Sequence, residues 1–373
     1  MATTDVSGEG GAPPAAETNS RAARSPSDFA VLSRRIHRAG LMQRRPGYYT
    51  VRLSTLAVLF VAGWAAFLLL GDSWWQMAVA VYLAAVFGQV ALAAHELAHR
   101  QVFLARVPSE AAGRIVGNLG IGMGYGWWQD KHTRHHANPN HEEFDPDVAP
   151  DLLVWSQEQA AGATGPARFI GRWQAFLFYP LLTLEGINLH AQSVRSLLRP
   201  RLRLRWLEAA LLGAHFTLYL GAVFTVLSPG RALLFLAIHQ ALFGIYLGCV
   251  FAPNHKGMPT LTRADKFDFL RKQVLTSRNI TGGPITDTAL GGLNYQIEHH
   301  LFPSMPAPHL RLARPIVRDY CAEIGVAYHE TGFLRSHAEA LAHLHRASAP
   351  LRRPGRQAPP DAPAGRGAGE SAR

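Results

Sequence analysis

At 373 residues, 48% of them hydrophobic, the chain carries more apolar side chain than one modest soluble core can hide. Its net charge of +11 would suit a nucleic-acid binder if it were clustered on a soluble fold. Instead the Lys and Arg residues are missing from four long apolar stretches and crowd the segments between them, which excludes that role and points to a membrane. The two cysteines, Cys249 and Cys321, are too few for a disulfide framework or a cluster-binding domain.

In chain order, residues 1–30 mix acids with Ala, Gly, Pro and Ser and contain no apolar run of the secretory type, so a disordered tail is expected there. Residues 53–70 and 74–94 are free of charge and long enough to cross a bilayer core, which takes about 20 residues. Residues 209–228 and 232–253 repeat the pattern. The four pair into two hairpins whose connections, 71–73 and 229–231, are very short. With the N-terminus in the cytoplasm, every Lys and Arg except Arg231 lies on the inner side, as the positive-inside bias requires. Trp74 and Trp75 stand at an outer turn, where amphipathic rings anchor a span.

Two large inner segments remain, beginning as the second and fourth spans emerge. Residues 115–125, IVGNLGIGMGY, are apolar but broken by glycine and read as a shallow or re-entrant piece. Residues 169–189 contain FLFYPLLTL, too short to cross, and are expected to form a helix lying in the interface. Residues 348–373 are again Pro, Arg, Gly and Ala rich and are expected to be a disordered tail, which leaves 31–347 as the folded domain.

The chemistry is concentrated in histidines. HELAH holds His95 and His99, HTRHH holds His132, His135 and His136, and QIEHH holds Gln296, His299 and His300. Residues three or four apart on a helix share a face, so each cluster aims its members at one point. Taken alone, HELAH matches the zinc-protease motif, in which Glu96 would be the base. A catalytic zinc needs three protein ligands and an open position, which would leave most of the other histidines idle. Two metals would use them, and imidazole-rich sites suit iron, copper, nickel and zinc. His239 precedes His255 by sixteen residues, about 24 Å along a helix, too far to share a metal with it. His239 and His215 therefore line the interior of the spans or serve as hydrogen-bonded structural groups. His190 and His141 lie near the clusters without their spacing.

HELAHR, HTRHHANPNHEEFDPD and GGLNYQIEHHLFP together resemble the three histidine boxes of the membrane fatty acid desaturase family, over roughly residues 47–328. The resemblance implies an all-α membrane protein, with four transmembrane helices in two hairpins and a cytoplasmic helical cap holding a dimetal site. It also implies two iron ions, O2 as co-substrate and the insertion of a double bond into an acyl chain. The ligands it implies are His95, His99, His132, His135, His136, His299 and His300, with one more expected after the fourth span. There His255 emerges with Asn254 beside it, giving eight histidines, about four for each iron; an exposed histidine at a helix end is the other reading. Gln296, in place of the first histidine of the third box, resembles the front-end subgroup and stands as a further ligand or a neighbour. Members of that subgroup often carry a fused cytochrome b5 domain, and none is recognisable here. Glu96, Glu298, Asp145 and Asp147 become candidate partners for the ligands' second ring nitrogens rather than bases.

No flavin, haem or iron–sulfur motif is visible, so an external electron donor is expected, with a ferredoxin and its reductase the natural choice. The acyl group would come on a lipid, on CoA or on a carrier protein. An acyl or alkyl hydroxylase on the same scaffold, and a metal-handling transporter or sensor, are the alternative readings. The expected location is the cytoplasmic membrane, with both termini and the metal site inside.

Overall fold

The computed structural model describes residues 27–352. Helix α1 (Asp28–Arg38) leads into α2 (Pro46–Leu70) and α3 (Gln76–Ala98), followed by α4 (Arg106–Arg114), a π-helical stretch (Ile115–Gly120) and α5 (Tyr125–Ala137). Next come α6 (Gln157–Gly162), α7 (Gly165–Leu182), α8 (Glu185–Ser196), α9 (Arg205–Val226) and α10 (Pro229–Phe251). The C-terminal part holds α11 (Phe269–Leu275), α12 (Pro284–Ala289), α13 (Gln296–Leu301), α14 (Ala307–Glu323), α15 (Phe333–Ala347) and α16 (Ala349–Arg352). Among the described residues the only strands are β1 (Asn279–Thr281) and β2 (Glu330–Gly332), paired in parallel. The expected all-α fold is what forms.

Four helices, α2, α3, α9 and α10, are long and apolar enough to cross a membrane. Within their apolar windows 67% of α3 is buried, against 17% of α2 and 22% of α9, so α3 is the central helix and the other two face outward. Phe87 of α3 lies among Phe60 of α2, Tyr219 of α9 and both His239 and Phe243 of α10. At one end Arg231 pairs with Asp72 at 2.6 Å, tying the two short turns together.

All four spans start or end beyond the charge-free stretches, and in α2, α3 and α9 the charges that bounded those stretches are buried and paired. Arg52, inside α2, donates to Glu96 of α3 at 3.0 Å. Glu208, inside α9, is fully buried, accepting from Arg114 at 3.2 Å and from the Gly126 amide at 2.9 Å. A buried charge that meets its opposite is far less costly than one left unpaired, so a charge there does not end a span. The tail boundaries shift for a different reason. Asp28–Arg38 is already helical, capped by the Ser27 hydroxyl, and packs Leu32 and Ile36 into a core shared with α11, α13 and α14. Leu351 of α16 packs on Val154 and Ala160. The rest of both expected tails lies outside the described residues.

The apolar run around 169–189 is not one flat helix. It breaks at Thr183 and Leu184 into α7 and α8, and the turn packs against α10 at Gly244. A Cβ on Gly244 would come within 2.3 Å of the Leu182 carbonyl oxygen, so only glycine admits this approach. Gly244 lies seven residues before the end of α10, so the hairpin tip sits about 10 Å down that helix. The glycine-broken stretch 115–125 behaves comparably. Its Leu119 carbonyl accepts from His215, ten residues into α9, at 2.9 Å, and Gly122, with φ +68°, fits between His190 and His215 where a side chain would collide.

Candidate metal centre

The C-terminal ends of α3 and α10, together with α5 and α13, converge at one end of the bundle, and each carries imidazoles there. HELAH closes α3, so His95 lies in its last turn and His99 at its cap. HTRHH occupies the last turns of α5, and QIEHH is α13 itself. His255 follows a short 3-10 turn (Ala252–Asn254) that ends α10.

These residues form two abutting groups. One contains His95, His99, His132, His136 and His299; the other contains His135, His255 and His300. The adjacent pairs are split between them: α5 gives His132 and His136 to the first and His135 to the second, and α13 divides His299 from His300. Neighbouring residues on a helix point about 100° apart, so each His-His pair is divided between the two groups. All eight expected histidines are therefore brought together, as five and three rather than four and four. The rings touch across the boundary, with His136 and His300 stacked at 4.2 Å between centroids.

The contacts within each group are too close and too many for a hydrogen-bond network alone. Nε2 of His132 lies 2.8 Å from Nε2 of His99 and 3.1 Å from Nε2 of both His95 and His136. A neutral imidazole nitrogen has one lone pair or one proton, so three such contacts cannot all be hydrogen bonds. In the second group every Nδ1 faces an acceptor: Asp145 at 3.0 Å for His135, the Thr276 carbonyl at 2.9 Å for His255, and Gln273 Oε1 at 2.9 Å for His300. Each Nδ1 must donate, so with the rings neutral all three Nε2 lone pairs point inward, and that of His300 is buried with no partner. Converging lone pairs repel unless a positive ion lies among them, so both groups fit a transition-metal ion.

Burial keeps the imidazoles neutral. It lowers the pKa of His99 to about 3 and that of His255 to about 3, with the nearby His135 adding to both, and it holds His132, His136, His299 and His300 well below their ordinary range. His135 departs from this: burial alone would lower it, but the charge and hydrogen bond of Asp145, helped by Asp147, raise it. Burial likewise pushes the Asp147 carboxyl up, yet Lys131, His135 and Lys256 outweigh it and hold Asp147 below its usual range. The sign for stability follows. The unfolded chain takes up protons at these histidines near pH 6.5, the folded chain only at about pH 3 for His99 and His255, so the unfolded state binds more protons in between. Metal-free protein is expected to lose thermal stability steadily as pH falls from 7.5 to 5. A melting temperature constant over that range would contradict buried, neutral imidazoles.

The carboxylates divide. Asp145 and Asp147 both approach His135, and Asp145 also accepts from the Asn140 amide at 2.8 Å, which fixes its orientation. Glu96 and Glu298 do not meet an imidazole, contrary to expectation. Glu96 is turned to Arg52, away from the group its neighbouring histidines join, which also removes it as a proteolytic base. Glu298 is fully buried between Tyr328 and Asn279, each donating at 2.7 Å, and burial nonetheless raises its pKa to about 7. A helix as short as α13 turns one side to the histidine groups, and Glu298 falls on the other.

Gln296 and Asn254 lie beside the three-histidine group. Gln296 Nε2 donates to His255 Nε2 at 2.9 Å and so occupies the lone pair that an ion in this group would need, while Gln296 Oε1 accepts from Asn254 Nδ2 at 3.1 Å. To ligate through oxygen, Gln296 would turn its amide over and release Asn254. His141, His190, His215 and His239 join neither group; His190 and His215 donate to the Gly122 and Leu119 carbonyls, and His239 meets the Tyr219 hydroxyl at 2.9 Å.

Several supporting residues had no mark in the sequence. Gln273 is fully buried and bridges two boxes, donating from Nε2 to the His136 carbonyl at 3.0 Å while Oε1 orients His300. Arg278, also fully buried, binds the Pro253 and Lys256 carbonyls on either side of His255 and pairs with Glu339 of α15. Asn279 joins Glu298 to the Ile297 amide. The one trace of Arg278 and Asn279 is the polar run Thr276–Ser277–Arg278–Asn279, set between a span and a histidine box; Gln273, in α11, lies outside it. Gln273→Leu is expected to weaken metal retention about 10–100-fold, whereas Gln273→Glu, which still accepts from His300, retains it. A chelator competition titration measures both, and equal retention in the leucine variant would refute the orienting role.

Comparison with known proteins agrees with this geometry. The chain is 30% identical over 339 residues to an acyl-lipid (9-3)-desaturase of Physcomitrium patens, covering 85% of this chain and 64% of the moss protein. It is 28% identical over 338 residues to the Delta(6)-fatty-acid desaturase fat-3 of Caenorhabditis elegans, covering 85% and 74%, and 28% identical over 327 residues to a Delta(8)-fatty-acid desaturase of Euglena gracilis, covering 85% and 76%. It thus spans somewhat under two thirds of the moss protein and about three quarters of the other two. The profile of the fatty acid desaturase family matches residues 72–332, a stretch that takes in all three histidine clusters, and with it this four-span histidine-box chain belongs to the fatty acid desaturase family.

Proposed function

We propose that the protein is an O2-dependent desaturase of membrane fatty acyl chains, of the front-end kind, with two iron ions held by His95, His99, His132, His136 and His299 and by His135, His255 and His300. The observation that carries this reading is the pair of abutting imidazole groups at one end of the spans. When bound, the iron pair would activate O2, the oxidant that removing hydrogen from an unactivated methylene needs and that no acid or base in the chain can replace.

The chain's own residues do the rest. Asp145, Thr276 and Gln273 fix three imidazoles by their Nδ1 protons, so the Nε2 atoms are directed before any metal arrives. Trp128 stacks on His132 at 4.5 Å, and Phe251 lies 6.1 Å from His95, so the membrane side of the first group is walled by aromatic rings that exclude water. Ala91, Ala94, Ile121 and Met123 continue that apolar lining toward the spans. In this reading the acyl chain presents one carbon to the centre, and positioning of this kind accounts for a large part of the rate.

Electrons come from an external donor, in this reading a ferredoxin with its reductase. Exposed Arg100 and Arg134, next to His99 and His135, offer such an acidic carrier a basic approach. With the basic segments inside, the metal end and both termini face the cytoplasm of a cytoplasmic membrane. A metal transporter would carry its ligands along a path across the bilayer, whereas these lie together at one end.

The test is product analysis from a host that expresses the chain with a ferredoxin system and is fed a labelled fatty acid. A new double bond between an existing one and the carboxyl end is expected, in lipid-linked, CoA-linked or carrier-linked acyl groups. A hydroxylated product alone would overturn desaturation.

A further inference from the structure

An open groove of about 500 Å³ runs along α8 on the outside of the bundle. Ile187, Ala191 and Val194 line it at spacings of three or four, a single face of α8, Leu198 continues the stripe just past its end, and Phe216 of α9 forms the opposite wall. From Ile187 to Leu198 the stripe extends about 16 Å along the helix axis. Ile187 is close to the turn that reaches down to Gly244, and Phe216 is eleven residues into α9, so that end of the groove is the deep one. The floor holds His190, whose Nδ1 is committed to the Gly122 carbonyl and whose Nε2 is buried without a partner.

The shallow end is different in character. Arg195 lines the groove there, and Arg199 follows one turn later at the start of the α8–α9 connection. Both are exposed, and among the described residues neither meets an acidic side chain, in contrast to Arg203, which pairs with Glu110 at 3.3 Å, and Arg114, which pairs with Glu208. Trp206, 77% exposed, stands close by in sequence at the start of α9, where an amphipathic ring marks the headgroup level. An apolar trough, deep at one end and bordered by two unpaired guanidinium groups at the other, has the polarity of one lipid molecule lying along it.

We propose that this groove binds a single anionic phospholipid, one acyl chain lying between the α8 stripe and Phe216 and the phosphate held by Arg195 and Arg199. The guanidinium fork matches phosphate geometry, and the apolar face matches a chain rather than a peptide. Binding does not depend on the metals or on any reaction, so this site stands apart from the proposed desaturation.

The full-length protein, reconstituted in nanodiscs containing equal amounts of phosphatidylglycerol and phosphatidylcholine with identical chains, is released and analysed by native mass spectrometry. One phosphatidylglycerol is expected to stay bound, favoured about tenfold or more over phosphatidylcholine. The Arg195→Gln/Arg199→Gln double variant is expected to lose that preference, and Arg195→Lys/Arg199→Lys to keep most of it. Ala191→Trp, which fills the trough and leaves the charges in place, is expected to retain neither lipid, with thermal unfolding confirming that each variant is folded. Equal retention of the two lipids by the unaltered protein, an undiminished preference in the glutamine variant, or full retention by folded Ala191→Trp would each overturn the proposal.

Discussion

Replacing His132 by alanine is expected to empty the five-histidine group and to lower desaturation by more than about 100-fold. Removing a mere orienting partner of a metal ligand already costs 10–100-fold, and His132 is more central than that. Its Nε2 lies within 3.1 Å of three other imidazole nitrogens, so no other ring in the group can fill the space it leaves. Alanine at His300 or His255 is expected to empty the second group while the first keeps its ion. His239→Ala is the contrasting control: its partner is Tyr219 within the bundle, and metal content should not change. Metal per chain by elemental analysis, measured beside product formation, separates these outcomes. Full metal content in His132→Ala would remove the first group as a ligand set.

Arg52→Met is expected to be the most destabilising change outside the metal groups, by about 3–5 kcal/mol, because it leaves the Glu96 carboxylate buried and unpaired. Glu96 is 2% exposed, its Oε1 already has no partner, and its Oε2 depends on Arg52. The pair also joins α2 to α3 at the level of the first histidine box, so its loss loosens the helix that holds His95 and His99. Glu96→Leu in addition should recover much of the loss, since replacing both charges removes the desolvation cost along with the attraction. A double-mutant cycle on thermal unfolding in detergent checks this. A protease base would behave in the opposite way: Glu96→Leu would abolish activity without any dependence on Arg52.

What could be read in advance follows from where the information is stored. Helix periodicity is local, so the histidine boxes announced which residues gather; the expectation that each cluster aims at one point fails for HTRHH and QIEHH, because helical twist turns adjacent histidines to different groups. Apolar runs likewise announced the four spans, though their ends were misplaced wherever a charge is neutralised by a residue far away in sequence, as Arg52 is by Glu96 and Glu208 by Arg114. The five-and-three division depends on how α3 and α10 approach α5, which no local pattern encodes. Glu298 shows the same limit: its spacing beside two ligands suggested a partner for them, and only the path of residues 276–279 and 328 shows that it braces α13 from behind. The α7–α8 hairpin was hidden because Gly244 looks like any glycine in an apolar helix until Leu182 is seen against it.

The reading depends most on two metal ions sharing eight imidazoles. Elemental analysis of protein purified without added metal, combined with Mössbauer spectra of iron-57-enriched material, tests it directly. Two iron atoms per chain in two different nitrogen-rich surroundings are predicted, five imidazoles around one and three around the other. A single zinc per chain with no iron would contradict it.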